Sequence, residues 1–434
     1  MLLVSADSIS MAHGTGAALL RFFAGYDTTK LANVFLNDLA GCAIRQHVKA
    51  EPMVPGWRSY SVKAATRVLK LFKRDVSRWV PFACQPVRPV LEKMGFEPDL
   101  IYGNCLGFND LSLLLQLAME YNGQVPVIQH FQDYFTEPHR EFYNVMAEML
   151  PYCDAVWTLT ESIAADIESR FEASAEVMHV FKSEVPPDFK AIHRQMDSSF
   201  RAVLVGNFGS HFVLHDVKRI WRMTEQRMPG LRPFQWIAHP ASAGRIANAG
   251  VEIGPEIEFA GFKAPGRELH ETLMQADAAI IPLNSESEPQ TDYERFSIPS
   301  RITEMALAGL PIFCLAGPAT ETRRYVEKNG IGVCVNGSEG DQLFLKFWDL
   351  LSQHELRAKL GLQARRFAEV EFDLKEFQPR FLSMLTETAE RKSCGRSVAR
   401  GWKNAIYRAW KSGQIELGSD RFIARATKCE VSNR

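Results

Sequence analysis

The side chains best placed to do chemistry together lie in one short stretch, "PSRITEMALAGLPI", residues 299–312. Ser300, Arg301 and Glu304 set a hydroxyl, a permanent cation and a carboxylate within one helical turn or so of each other. A guanidinium is a planar fork of donors matched to phosphate or carboxylate oxygens. A carboxylate offers two acceptors to a diol such as a ribose. The set therefore suits a phosphorylated, hydroxyl-bearing ligand, unless Glu304 simply faces solvent. Pro299 fits the first turn of a helix, and Ser297 or Ser300 could cap that helix or contact a ligand. Gly309 and Pro311 then stop it ahead of the apolar run "IFCL".

Four other groups could add to such a site. "VGNFGS", residues 205–210, puts Gly206 and Asn207 at the end of an apolar run, where glycine allows close backbone approach. It reads either as a phosphate cradle joined by Lys218 from the following helix, or as a connector with Lys218 on a solvated face. His130, in "VIQHFQDYF", ends a buried-looking strand. It could donate to phosphate or a sugar hydroxyl or act as acid and base, or it could be satisfied by a neighbouring carbonyl. "HGTGAAL" places His13, Gly14 and Gly16 in a strand-to-helix loop able to receive an anion. A dinucleotide fingerprint using Asp38 for a ribose would need a third glycine where Leu19 stands, so a tight turn and a substrate-facing loop also fit.

Elements able to position these residues alternate along the chain. Short Val, Ile and Leu runs ("MLLVSAD", "PDLIYGNC", "VPVIQHF", "DAVWTLT", "VMHVFK") are separated by helical segments such as "DLSLLLQLAMEY" and "ESIAADIESRF". That alternation predicts βαβ units and parallel sheets. A polar segment with two prolines, "EVPPDFKAIHRQMDSS", reads as a linker. A second series follows: "RAVLVGNFGS", "PFQWIAH", "IEFAGF", "LMQADAAIIPL", "GLPIFCL" and "IGVCVN". The expectation is an α/β fold of two Rossmann-like, doubly wound domains facing across a cleft, with boundaries at 1–185 and 198–385 and a tail at 386–434. Ligands would sit beyond the carboxyl ends of the strands.

Composition agrees with this class. The 434 residues are too many for one ordinary core, and 46% hydrophobic with 23% charged residues is the balance of a globular enzyme. The formal net charge of -1 gives no overall nucleic-acid bias. Charge is nevertheless uneven, because residues 391–434 hold 11 Lys and Arg against 3 Asp and Glu. Eight cysteines without CxxC spacing suit reduced thiols and neither a disulfide framework nor a zinc site. No leader-like or membrane-spanning run is visible, so a cytoplasmic location is expected.

At this point a family resemblance becomes specific. "PSRITEMALAGLPI" resembles the "PSK, acidic residue, small helix, G-x-P" motif in the carboxyl-terminal domain of GT-B glycosyltransferases, family 4 above all. "GFKAPGRELHETLMQADAAIIPLN" is similar to that family's stretch ending in "A-D-hydrophobic-P", "VLVGNFGS" to its phosphate loop, and "DAVWTLTESIAADI" to its strand-Ser-Glu-helix element. The likeness spans roughly residues 1–385 and is clearer in the second half. It implies that Glu304 holds the nucleotide ribose, that Ser300, Arg301, Gly206 and Asn207 meet the donor diphosphate, and that His130 faces the reacting sugar. Many retaining members carry a second glutamate eight positions before the ribose-binding one. Here that position is Phe296, which leaves Glu294 as a displaced substitute and the stereochemical outcome open.

The resemblance implies transfer of a sugar from a nucleotide sugar to a glycan or lipid-linked acceptor in polysaccharide or glycolipid biosynthesis. No cofactor or metal is required, although "SESEPQTDYE" is acidic enough to keep a metal in view. A nucleotide-sugar epimerase of the same fold, a non-catalytic protein and an NAD-binding one are the alternatives. Two basic amphipathic stretches, residues 57–80 and the tail around Trp402, Ile406 and Trp410, would lie on an anionic membrane surface or pack as ordinary helices.

Overall fold

The computed structural model describes residues 1–5, 22–23, 26, 30–37, 41–46, 87–93, 95–105, 108–132, 134, 140–179, 182–186, 200–206, 211–248, 250, 252–263, 266–283, 295–336 and 340–390. The His13, Gly14, Gly16, Asn207, Asp38 and Glu294 expectations, and both basic stretches, lie outside them.

The first domain carries β1 (Leu2–Ser5), β2 (Ala32–Asn37), β3 (Gly41–Gln46), α1 (Arg88–Lys93), β4 (Ile101–Cys105), α2 (Phe108–Tyr121), β5 (Val127–Phe131), α3 (Arg140–Met149), β6 (Ala155–Thr158), α4 (Glu161–Phe171) and β7 (Glu176–Val177). Its sheet runs β3-β2-β1-β4-β5-β6-β7, parallel except for the β2–β3 hairpin. Leu2, Leu3 and Val4 of β1 and Ile101 and Tyr102 of β4 are fully buried. That is why the central strands read as unbroken apolar runs: both faces are covered.

The second domain follows with β8 (Ala202–Val205), α5 (His211–Arg227), β9 (Phe234–Ile237), α6 (Pro240–Asn248), β10 (Ile257–Gly261), α7 (Arg267–Leu273), β11 (Ala278–Pro282), α8 (Ile302–Leu307), β12 (Ile312–Leu315), α9 (Glu321–Asn329), β13 (Gly332–Val335), α10 (Asp341–Ser352) and α11 (His354–Glu371). All six strands are parallel, in the order β10-β9-β8-β11-β12-β13. The order reverses at β8, so a crevice opens at the carboxyl end of that strand.

A last helix, α12 (Leu374–Glu390), leaves the second domain and packs on the first. Its Leu374, Phe381 and Leu385 belong to the first core, where the Phe381 ring lies 5.9 Å from those of Tyr102 and Trp157. A domain boundary at 385 therefore cuts through a helix whose buried face belongs to the first domain.

Among the described residues the domains meet through an apolar plug, a ring contact between His179 and Tyr325 and several polar contacts. Phe296, from the second-domain sequence, sits in the first core with its ring 5.1 Å from Tyr134, and its carbonyl accepts from Thr160 Oγ1 at 3.0 Å. Lys328 pairs with Glu161 at 2.9 Å, and Ser162 Oγ donates to the Glu321 carboxylate.

Candidate functional site

The helix of the opening stretch is shorter than its apolar pattern suggests. Pro299, Ser300 and Arg301 form a turn, with Ile302 N donating to Pro299 O at 3.1 Å, and α8 begins only at Ile302. Arg301 is its N-cap residue without a side-chain cap bond, so neither serine caps it. Ile302, Thr303, Met305, Ala306 and Leu307 are buried, whereas Ser300 is exposed and Arg301 and Glu304 are half-buried. The polar front end thus faces outward from a core-packed helix.

The far end of α8 is locked. Leu310 N donates to Met305 O at 3.1 Å and Gly309 N to Ala306 O at 2.9 Å, the pair of bonds of a glycine-terminated helix. Gly309 has φ of +68°, which only glycine adopts readily. A Cβ on Gly361 of α11 would overlap the Gly309 carbonyl oxygen, so α11 and α8 touch backbone to backbone. Arg365 of α11 donates to Leu307 O and, at 2.7 Å, to Pro186 O.

Gly206 and Arg301 come together at the crevice. Gly206 ends β8 with φ of +89°; its N–H donates to Ile237 O at 2.7 Å and its carbonyl accepts from Trp236 Nε1 at 2.6 Å. A Cβ built on Gly206 would overlap Nε and Cζ of Arg301. The absent side chain is the space the guanidinium occupies. A fixed cation at the carboxyl end of the switch-point strand, one turn from a carboxylate, is a place for a diphosphate and its ribose.

Lys218 is elsewhere. It lies 8% exposed on α5, with Nζ donating to Glu252 O just before β10, and Glu256 beside it bonds Arg222 at 2.6 Å. Residues entering β10 lie at the amino end of the sheet, opposite the crevice. Lys218 is seven residues into a helix that starts at the crevice side, and at 1.5 Å per residue this moves it about 10 Å away.

His130 is likewise a core residue and does not face the cleft. It is 0% exposed, its Nδ1 lies 2.7 Å from the Tyr102 hydroxyl and its Nε2 3.2 Å from Met178 O. A carbonyl can only accept, so Nε2 carries the proton and Nδ1 accepts from Tyr102. Burial lowers its pKa to about 4, which holds the ring neutral. With both nitrogens engaged inside the protein, it has none to offer a substrate.

Further residues stand near the strand ends, of which only Ser297 is singled out in the sequence. Phe262, directly after β10, is 55% exposed, with its ring 6.0 Å from that of His239 beyond β9. Asn104 near the end of β4 is fully buried with both amide atoms unpartnered. Gln132 beyond β5 and Ser297 before α8 are also buried with a polar atom unpartnered. Among the described residues no three His, Cys, Asp or Glu side chains gather as metal ligands, and no helix is long and apolar enough to cross a membrane.

No protein-family model and no curated protein sequence matches this chain. Solved structures do. HepE of Anabaena, in complex with UDP and glucose, aligns with a TM-score of 0.57 at 14% identity, over 89% of this chain and 100% of that one. A UDP-forming α,α-trehalose-phosphate synthase from Burkholderia xenovorans aligns with a TM-score of 0.58 at 12% identity, over 89% and 99%. The chain has the GT-B fold. Gly206, Arg301 and Glu304 stand on the second domain, at the carboxyl end of its sheet.

Proposed function

We propose that this protein is a glycosyltransferase that moves a sugar from a nucleoside diphosphate sugar to an acceptor hydroxyl. The observation that carries the reading is the nesting of the Arg301 guanidinium in the space left by Gly206, at the switch point of the second sheet. Solved structures of the same fold hold UDP with glucose or UDP-glucose, and another is of a UDP-forming synthase. UDP is accordingly the first nucleotide to try.

In this reading Arg301 binds the diphosphate and stabilises the negative charge that grows on it as the sugar departs. Glu304 accepts from the ribose hydroxyls, and Ser300 adds a hydroxyl at the rim. Phe262 offers its exposed ring to the base. Acceptor glycans enter from the first domain. The basic segments outside the described residues would bring the enzyme to an anionic membrane holding a lipid-linked acceptor, and vesicle binding that falls as salt rises would support that part.

The deciding experiment is calorimetry of UDP and GDP against wild type, Arg301→Ala and Glu304→Ala. Each substitution should weaken binding by about 1–3 kcal/mol, the range for leaving a polar partner unpaired. Unchanged affinity in both variants, or stabilisation by NAD and by no nucleoside diphosphate, rejects the assignment.

A further inference from the structure

A histidine stands in the joint between the domains. His179, just after β7 of the first domain, has its ring 5.7 Å from that of Tyr325 on α9 of the second. Its Nδ1 is buried without a hydrogen-bond partner, as is the Tyr325 hydroxyl. The other ring nitrogen, Nε2, bonds the backbone of Leu159. The Leu159 N–H already donates to Phe131 O at 2.9 Å, so the Leu159 carbonyl accepts and Nε2 carries the proton. Nδ1 is then a bare lone pair. A proton there would make it a buried, cationic donor with no acceptor, which is far more costly.

The charges around the ring are already matched. Glu371, at the end of α11, lies 3.6 Å from Lys182 in the chain between the domains. Glu161, at the start of α4, lies 2.9 Å from Lys328 of α9. Each carboxylate that could answer an imidazolium therefore has a lysine beside it. Burial keeps the Tyr325 hydroxyl protonated, and His130 in the first core is neutral. Burial also outweighs both carboxylates at His179 and lowers its pKa below the ordinary 6.5. Lifting α9 from the first domain would wet Nδ1 and supply the missing acceptor as water.

We infer that the joint is a proton-operated latch: it holds while His179 is neutral, and a proton taken up on Nδ1 parts α9 from the first domain. By linkage, the parted state binds more protons than the joined one below about pH 6.5. The joint is therefore at full strength above pH 6.5 and weakens as pH falls, by at most about tenfold per unit for one proton. His130 is bonded to Tyr102 and Met178 within the first domain, so its titration bears on unfolding of that domain and not on parting. The latch belongs to the joint and holds whatever the crevice binds.

The test is hydroxyl-radical footprinting of the full chain at pH 7.5 and pH 5.5, read by mass spectrometry. Phe296 and Tyr325, 2% and 8% exposed, report the joint, and Phe262, 55% exposed, is the internal standard. Phe347 and Phe381, both 0% exposed, report unfolding. We expect labelling of Phe296 and Tyr325 relative to Phe262 to rise at least threefold at pH 5.5 in wild type, with Phe347 and Phe381 still protected. In His179→Gln the rise should be less than half as large. A smaller rise in wild type, a larger one in His179→Gln, or loss of protection at Phe347 and Phe381 along with the joint overturns the inference. Should His179→Gln fold poorly, hydrogen exchange at Cε1 of His179 in wild type between pH 5 and pH 8 decides. A pKa below 6.5 supports the latch, and one at or above 6.5 overturns it.

Discussion

Substituting alanine for Gly206 should disable the proposed nucleotide site by a route visible in the structure. Two costs are distinct. A non-glycine residue at φ of +89° pays the left-handed backbone penalty, about 1–2 kcal/mol in folding stability. Separately, the new Cβ overlaps Nε and Cζ of Arg301 and must drive the guanidinium out of its place. If that guanidinium makes the charged hydrogen bond to diphosphate, its loss costs about 1.5–3 kcal/mol of binding, or about 10- to 150-fold in affinity. Gly250→Ala is the matched control: φ is +75° there and a Cβ would meet nothing within 4 Å, so it should lose stability without losing affinity. The assay is calorimetry with UDP and GDP beside urea denaturation. A double-mutant cycle sharpens it, because Gly206→Ala should cost no further affinity once Arg301 is already alanine. Diphosphate affinity within twofold of wild type in Gly206→Ala, or full additivity in the cycle, refutes the reasoning.

Phe262→Ala should weaken nucleotide binding by about 1–3 kcal/mol if the exposed ring stacks on the base, and calorimetry that finds less than a twofold change removes it from the site. His130 is buried and neutral with its pKa lowered to about 4, so the unfolded chain binds more protons between pH 4 and 6.5, and its contribution to stability is complete above pH 6.5 and falls as pH drops. Integrating that difference, His130→Gln should remove about 2 kcal/mol of the stability loss between pH 8 and pH 5, read as the difference in urea midpoints between variant and wild type. Asn104→Leu, which replaces an amide whose two polar atoms lack partners by an apolar group of similar branching, should leave the urea midpoint unchanged or raise it; a clear fall would show that the amide is satisfied in solution.

The central strands of the second domain, β8, β11 and β12, are legible because each is a fully buried parallel strand, and such strands need unbroken β-branched and aliphatic runs such as "RAVLV" and "ADAAIIPL". Gly206 and Arg301 are legible for a related reason: a glycine directly after such a run, and a polar front on an otherwise apolar helix, are both local departures from core pattern. The hairpin β2–β3 is not, since its one antiparallel pairing breaks the alternation expected of βαβ units. His130 misleads because its surroundings are non-local. Strand register puts it in one row with Asn104 and Trp157, and the face they share is closed by Phe381, some 250 residues later in the chain. Lys218 misleads through helix arithmetic, its distance along α5 outweighing its charge. Gln132 and Phe262 carry no sequence signal beyond standing next to apolar runs, and only burial or exposure in the folded chain marks them.

Helix α8 is fixed to both domains, and that bears on how the enzyme would work. Its carboxyl end is held by Gly309 against Gly361 and by Arg365, which also grips Pro186 in the strap joining the domains. Beyond its amino end, Phe296 is inserted in the first core beside Tyr134. Separating the domains therefore withdraws a phenylalanine ring from that core, at a cost of about 1.5–3 kcal/mol, and parts the Glu161–Lys328 pair, which is exposed and contributes little. Arg301 and Gly206 both ride on the second domain, so on the proposed reading the diphosphate grip would survive opening. Opening after transfer would thus leave the nucleotide held on one domain alone, which makes release of the nucleoside diphosphate, rather than domain separation, the step that must overcome the Arg301 contact.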